Sequence, residues 1–198
     1  MAAPLSIPKL RCNAIRGGYT IRVFTKELSH RGSGVRIRRR DEPSRPTMTE
    51  RYLEDLRVGD RFESGSYEVT ENAIMQFARE FDPQPFHLDH AAAKRSVFGG
   101  LVASGWHTAA ITMRLLVTSD LNLAGGAIGL GVDEMRFSKP VRPGDILRLE
   151  LEIVDVRQSQ SKPDRGTARI RYATRNQKDE IVFTQTATVL VPKRGSVL

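Results

Sequence analysis

Hydrophobic residues recur at helical spacing in the segment ENAIMQFAREF, residues 71–81, and form one apolar face. That face consists of Ile74, Phe77, Ala78 and Phe81. Thr70 directly precedes the segment, where a side-chain oxygen can cap the free N–H groups of a helix. Pro83 disfavours the α conformation at Asp82, so the pattern predicts that the helix ends there.

A second and longer helical pattern runs through WHTAAITMRLLV, residues 106–117. Its predicted apolar face consists of Trp106, Ala109, Ala110, Met113, Leu116 and Val117. Ile111 and Leu115 make much of the opposite side apolar, and a helix that is apolar on most sides is a buried one. Between the two helices, Asp89 is well placed to cap a short helical run over residues 90–96.

Apolar and polar residues alternate in several further segments, which is the signature of half-buried strands. In ILRLELEIVDV, for example, Leu147, Leu149 and Leu151 alternate with charged residues. The predicted strands cover residues 64–70, before the first helix, and residues 131–141, 146–158, 166–176 and 180–191, after the second. An antiparallel sheet wrapped around one long central helix satisfies these patterns, so the predicted fold class is α+β.

Composition divides the chain into two parts. The 198 residues carry a formal net charge of +8, and residues 1–47 account for all of it, with 11 Lys and Arg against 3 Asp and Glu. This segment has few apolar periodicities, so we predict a basic, largely disordered extension. Residues 48–198 hold equal numbers of acidic and basic residues. They are long enough for one domain with a hydrophobic core.

The basic extension has three open interpretations. Met48 could be the true start, the extension could be a mitochondrial transit peptide, or it could be an arm that contacts nucleic acid. We favour the first interpretation. It predicts a cytoplasmic protein with no nucleic-acid partner, whereas the second predicts the mitochondrial matrix.

Cysteine content and hydropathy limit the compartment further. The single cysteine, Cys12, lies in the extension, so the domain is expected to have no disulfide and to occupy a reducing compartment. No apolar run approaches the roughly 18 residues needed to span a bilayer, so we expect no membrane partner.

The segment EFDPQPFHLDH, residues 80–90, is the first candidate for chemistry. Asp82 lies at the C-terminal end of the predicted helix, where the helix dipole disfavours a carboxylate. His87 lies near the start of the next helix, where a neutral imidazole, a proton acceptor, is favoured. Pro83 and Pro85 stiffen the chain between them, so the two side chains could converge on one water. The alternatives are a common Asp-Pro turn and a common loop histidine.

The segment ASGWHT, residues 103–108, is the second candidate. Ser104 and Gly105 leave the first N–H groups of the central helix uncovered by bulky side chains. Such a helix end can receive negative charge that develops on a carbonyl oxygen. A serine N-cap followed by glycine is the simpler explanation.

Together, FAREFDPQPFHLD and FGGLVASGWHT resemble the signature of MaoC-like (R)-specific enoyl-CoA hydratases, the hydratase 2 family. That signature runs D-x-N-P-x-H-x-D and then A-H-G, leading into the central helix of a hot-dog fold. The segment FSKPVRPGD is similar to the strand and turn that follow this helix in the family. The resemblance covers about residues 58–192 and implies a hot-dog fold that pairs into homodimers.

The resemblance also implies roles for individual residues. Asp82 and His87 would hold and activate the water that adds to a trans-2-enoyl thioester, and the N–H of Gly105 would polarise the thioester carbonyl. Which member of the pair removes the water proton is open at this stage. Gln84 replaces the asparagine of the signature, and Ser104 replaces its histidine.

Further residues are candidates for substrate binding or only for structure. Gln84, Ser104 and the bulky Trp106 are expected to shape the acyl pocket. Lys139 and Arg142 could meet the phosphates of coenzyme A, although paired basic residues beside a turn are commonly a solvated face. His90 and His107 are interpreted as a solvent-facing residue and a helix residue. No metal-site spacing is present, and no cofactor is expected beyond the coenzyme A of the substrate.

Three functions follow as hypotheses. The first is reversible hydration of a trans-2-enoyl-CoA, or dehydration of an (R)-3-hydroxyacyl-CoA, by a homodimeric hydro-lyase of fatty acid metabolism. The second is a non-catalytic acyl-CoA-binding or regulatory hot-dog protein. The third is a hot-dog acyl-CoA thioesterase. The natural acyl group does not follow from the sequence.

Overall fold

One five-stranded antiparallel sheet dominates the computed structural model, which describes residues 49–196. The strands are β1 (Arg61–Glu68), β2 (Ile128–Phe137), β3 (Ile146–Gln158), β4 (Arg165–Arg175) and β5 (Ile181–Pro192). Their order across the sheet is β1-β3-β4-β5-β2, so β1 and β2 are its two edges. The prediction of a basic extension over residues 1–47 lies outside the described residues.

Four α-helices connect β1 to β2. They are α1 (Glu71–Phe81), α2 (Pro85–Leu88), α3 (His90–Arg95) and α4 (Gly105–Val117). Helix α1 has the predicted bounds, and the Thr70 hydroxyl accepts a hydrogen bond from the Ala73 N–H. Asp89 caps α3 as predicted, by accepting from the Ala92 N–H at 2.7 Å. The single turn α2 was not predicted, because Pro83 and Pro85, with one residue between them, are typical of a loop.

The central helix α4 is buried on one side only, whereas its apolar residues predicted burial on most sides. Its buried residues are His107, Thr108, Ile111, Thr112, Leu115 and Leu116. Trp106 and Val117 of the predicted face are each 62% exposed, and Met113 is 50% exposed. Ala110 is exposed as well, so the prediction was wrong for these four residues. Both sides of α4 are apolar, so spacing alone could not decide which side meets the sheet.

The inner face of the sheet carries much of the hydrophobic core, and α4 lies nearest to β1 and β3. In β3 the buried positions are Leu147, Leu149, Leu151 and Ile153, in the alternation that the sequence predicted. Their neighbours across the β3–β4 ladder include Tyr172, opposite Leu151, and Thr174, opposite Leu149. The predicted α+β architecture, an antiparallel sheet wrapped around a long helix, is confirmed.

Two further features are absent from the part of the chain that the structure describes. No helix within residues 49–196 is long and apolar enough to cross a membrane. In the same range, no three His, Cys, Asp or Glu side chains lie close enough together to hold a metal ion.

Candidate active site

Asp82 is held at the end of α1 by both backbone and side-chain hydrogen bonds. Its N–H closes the helix by donating to the Ala78 carbonyl at 3.0 Å, and Pro83 then turns the chain away. Each oxygen of its carboxylate accepts one side-chain hydrogen bond. Gln84 Nε2 donates to Oδ1 at 2.8 Å, and Ser104 Oγ donates to Oδ2 at 2.6 Å.

His87 is buried on α2, and its ring is fixed by a backbone carbonyl. Nδ1 lies 2.8 Å from the Val102 carbonyl oxygen, which can only accept, so Nδ1 carries a proton. In the neutral ring Nε2 is then unprotonated. Nε2 lies 3.4 Å from Asp82 Oδ2. The edge of the Phe86 ring packs against the imidazole, with ring centroids 4.5 Å apart.

The N-terminus of α4 lies beside this pair. Ser104 is the N-cap, and its Oγ accepts from the Trp106 N–H at 3.2 Å while donating to Asp82. Gly105, the first helical residue, has an N–H with no hydrogen-bond acceptor among residues 49–196. An unpaired N–H in the first turn of a helix is suited to bind a negatively charged oxygen.

These groups line one cleft of about 520 Å³. Asp82, His87, Ser104 and Gly105 all contribute to its walls, although they come from separate segments of the chain. Aromatic side chains supply much of the remaining lining: Phe86, Phe98, Trp106 and Phe137. An apolar cleft with a few convergent polar groups is the usual form of a small-molecule site.

The pKa of the Asp82 carboxyl is lowered. The main cause is the hydrogen bond from Ser104, which stabilises the ionised form; Gln84 and His87 add to it, and partial burial opposes them. These donors outweigh the unfavourable helix end, which was the only influence that the sequence revealed. Asp82 is therefore a carboxylate at neutral pH.

Of the remaining predicted binding residues, Trp106 and Lys139 line the cleft and Arg142 does not. Trp106 lines the cleft, edge-on to Phe137 with ring centroids 6.4 Å apart. Lys139 also lines the cleft, but its Nζ is paired with Glu180 at 2.5 Å. Arg142 donates from its guanidinium to the Phe98 carbonyl at 2.6 Å and is not among the lining residues.

The two further histidines take the structural places that the sequence indicated. His90 is exposed and lies 3.0 Å from Glu71. His107 is buried in α4 and stacks on Phe77, with centroids 4.7 Å apart. Burial lowers the pKa of His107, and its Nδ1 has no hydrogen-bond partner within the described range.

Two contributors to the site were missed in the sequence. Val102 acts through its backbone carbonyl, which leaves no trace in residue type. Phe137 ends β2, and its ring covers Gly105. The phenylalanine was read as part of a strand, and only the closure of the sheet around α4 brings it to the helix end.

Comparison with known proteins supports the same assignment. The family model described as MaoC like domain matches residues 56–176. The crystal structure of a MaoC-like dehydratase from Rhodospirillum rubrum is 54% identical, with a TM-score of 0.71, and the match covers 73% of this chain and 99% of that one.

Two further relatives have named activities. The 3-hydroxybutyryl-CoA dehydratase of Methylorubrum extorquens is 33% identical over 151 residues, which are 75% of this chain and 89% of the relative. The unliganded R-hydratase PhaJ1 of Pseudomonas aeruginosa is 28% identical with a TM-score of 0.59, covering 72% of this chain and 86% of that one. These matches confirm the resemblance and the hot-dog fold.

Proposed function

The chain belongs to the family of MaoC-like domains, and we propose that it adds water reversibly to a trans-2-enoyl-CoA, giving an (R)-3-hydroxyacyl-CoA. The family supports hydration or dehydration of acyl-CoA in general. One observation carries the finer proposal. Asp82 Oδ2 and His87 Nε2 lie 3.4 Å apart in a cleft that Gly105, the first residue of α4, also lines.

His87 is the proton acceptor of the proposed reaction. Its Nδ1 proton is committed to the Val102 carbonyl, so the lone pair of Nε2 is available to a water in the cleft. Asp82 is already stabilised as a carboxylate by two donors, which makes it a weak base. Its Oδ2 instead accepts a hydrogen bond from the second O–H of the water, which orients the lone pair of the water oxygen.

Addition of the water begins at C3 of the enoyl group. The water oxygen bonds to C3 and its proton passes to His87 Nε2, while the electrons of the C2–C3 double bond shift toward the thioester. The enolate oxygen carries the resulting charge and accepts a hydrogen bond from Gly105. C2 then takes the proton from His87, the carbonyl is restored, and one water has been added across the double bond. Dehydration is the reverse sequence.

We further propose that the protein is a homodimer joined at β2. This edge strand exposes Ile128, Leu130 and Val132, and the neighbouring side of α4 exposes Met113 and Val117. A long apolar edge is unusual for a monomer, because it pairs readily with another strand. The opposite edge, β1, has the sequence RFESGSYE, with charged residues at both of its ends, whereas the charged residues of β2 lie only in its second half, residues 133–136. The apolar first half of β2 is therefore the edge that we propose pairs with a second copy.

The cytoplasm remains our proposal for location. The alternative, the mitochondrial matrix, depends on residues 1–47, which lie outside the described range. Intact-mass measurement of the native protein tests the choice: a start at Met48 gives the mass of residues 48–198, whereas a transit peptide cleaved at another position gives a different mass.

The proposed reaction is tested with purified protein and crotonyl-CoA. We expect conversion to (R)-3-hydroxybutyryl-CoA, identified by chiral analysis, with the thioester intact. Asp82→Asn and His87→Ala should each lower the rate by about 100-fold or more. Matched controls are Asp89→Asn, which retains the N-cap of α3, and His90→Ala, which removes an exposed histidine from the same segment.

Other outcomes assign the other functions. Full activity in either Asp82→Asn or His87→Ala would contradict the catalytic pair. Release of free coenzyme A from the enoyl thioester would indicate a thioesterase. Tight acyl-CoA binding without turnover, unchanged by Asp82→Asn, would indicate a binding or regulatory protein.

A further inference from the structure

We propose that Ser104 is a positioning residue that fixes the Asp82 carboxylate and joins it to the oxyanion-binding end of α4. The inference rests on the proposed function, in which Asp82 orients the attacking water and Gly105 stabilises the enolate oxygen. It gives Ser104 a role different from the direct substrate contact that the sequence suggested.

The direction of the hydrogen bonds at Ser104 is fixed by its partners. The hydroxyl oxygen accepts from the Trp106 N–H at 3.2 Å, and an N–H can only donate. The one hydroxyl proton is therefore free to point at Asp82 Oδ2, 2.6 Å away, and an ionised carboxylate can only accept. No rotation of the hydroxyl satisfies both partners in another way.

Ser104 holds the oxygen that faces His87. Oδ2 receives the serine proton and lies 3.4 Å from Nε2, so the bond determines where this oxygen stands relative to the proposed water. Without Ser104, rotation about the Cβ–Cγ bond of Asp82 would be limited on this side only by His87. Displacement of a reacting geometry by about 1 Å can cost about 100-fold in rate.

Burial separates the contribution of Ser104 from that of Gln84. Ser104 is 1% exposed, so no water can replace its hydroxyl without rearrangement. Gln84 is exposed, and a solvent water can take the place of its amide at Oδ1. Loss of the Ser104 hydroxyl should therefore have the larger effect on the Asp82 carboxylate.

Ser104 also connects two parts of the site. It caps α4 and holds Asp82 with the same hydroxyl, while Gly105 follows it directly. The groups that orient the water and bind the enolate oxygen are thus joined by one side chain. This connection limits changes in the distance between the Asp82 carboxylate and the Gly105 N–H.

The test compares Ser104→Ala with Thr70→Ala. Thr70 is the N-cap of α1, so its replacement also removes a helix cap, but at the end of α1 opposite to Asp82. We expect Ser104→Ala to lower kcat for crotonyl-CoA hydration by about 100-fold with little change in KM. Thr70→Ala should retain kcat within about twofold. Gln84→Ala should fall between them, at no more than about tenfold.

A second measurement reports on Asp82 directly. Loss of the serine donor destabilises the carboxylate, so the pKa of Asp82 should rise in Ser104→Ala. Titration of the Asp82 carboxyl carbon by ¹³C NMR in wild type and Ser104→Ala measures this change without turnover. A role limited to capping α4 would leave this titration unchanged.

The outcomes distinguish the inference from the function on which it rests. If wild type hydrates the substrate but Ser104→Ala matches Thr70→Ala in kcat, the positioning role is wrong and the function stands. If wild type itself has no hydratase activity, the proposed function fails, and the NMR titration alone decides whether Ser104 holds the carboxylate. An unshifted Asp82 titration in Ser104→Ala overturns the inference in either case.

Discussion

The ring of Phe137, at the end of β2, lies against Gly105, at the start of α4. A Cβ built on Gly105 would stand 3.0 Å from two carbons of that ring, closer than side chains normally approach. Phe137 packs in turn on Phe183 of β5, with centroids 5.3 Å apart. The edge of the sheet therefore favours glycine at this position, which lines the cleft.

Gly105→Ala should destabilise the protein by about 1 kcal/mol, because the new methyl group pushes Phe137 from its position. Urea unfolding measures this change. Gly65→Ala is the matched control, since a Cβ there meets no atom within 4 Å. Adding Phe137→Ala to Gly105→Ala should remove the steric part of the effect. If the free-energy cost of the double variant equals the sum of the costs of Phe137→Ala and Gly105→Ala, the contact between the two residues is not the cause.

Val132→Lys should dissociate the proposed dimer, because it places a charge on the apolar edge strand β2. Light scattering coupled to size-exclusion chromatography should then give the mass of one chain, where wild type gives that of two. Val58→Lys introduces the same change at another exposed valine, in the turn before β1, and should leave the dimer intact. A monomeric wild type, or a dimeric Val132→Lys, would contradict the β2 interface.

Thr112→Val should cost more stability than Thr174→Val, although the two hydroxyls share one hydrogen bond of 2.7 Å. Thr112 donates to the Thr108 carbonyl at 2.9 Å, so Thr174 must be the donor between the pair. Thr112→Val leaves the buried Thr174 hydroxyl without an acceptor, at a cost of about 1–3 kcal/mol. Thr174→Val leaves Thr112 paired and should cost about 1 kcal/mol or less.

Equilibrium unfolding of both single variants and of the double variant tests this order. The double variant should be more stable than Thr112→Val alone, because it removes the unpaired donor. Equal costs for the two single variants, or a larger cost for Thr174→Val, would contradict the assignment of Thr174 as the donor.

His107 should make the folded state less stable as the pH falls below 6.5, its ordinary pKa. Burial lowers the pKa of His107 in the folded state, so the unfolded chain binds more protons at acid pH and is favoured there. His107→Phe keeps a ring against Phe77 and removes the titration. Its free energy of unfolding should fall less than that of wild type between pH 7 and about pH 5.

The exposed His90 provides the control for this pH dependence. His90→Phe should follow the wild-type stability curve more closely than His107→Phe does. If both variants retain the full acid dependence, another group is responsible for it.

Local patterns in the amino-acid sequence predicted the strands, the α-helices other than α2, and the residue types at the candidate site. Local signals are strong for α1, where Thr70 and Pro83 mark the two ends, and for β3, where alternation is nearly continuous. The short segment from Asp82 to His87 likewise has its spacing limited by two prolines, so the chain could be expected to bring these side chains together.

Tertiary structure alone decided which groups these side chains meet. Both sides of α4 are apolar, so packing against the sheet decided which side is buried. The prediction that Trp106 lies on a buried face was wrong for this reason. Ser104 could be recognised as a cap, but its bond to Asp82 joins residues 22 positions apart. Neither the Val102 carbonyl nor the Phe137 ring carries a local signal. Spacing along a chain limits only near neighbours, whereas the state of the Asp82 carboxylate depends on groups that packing brings to it.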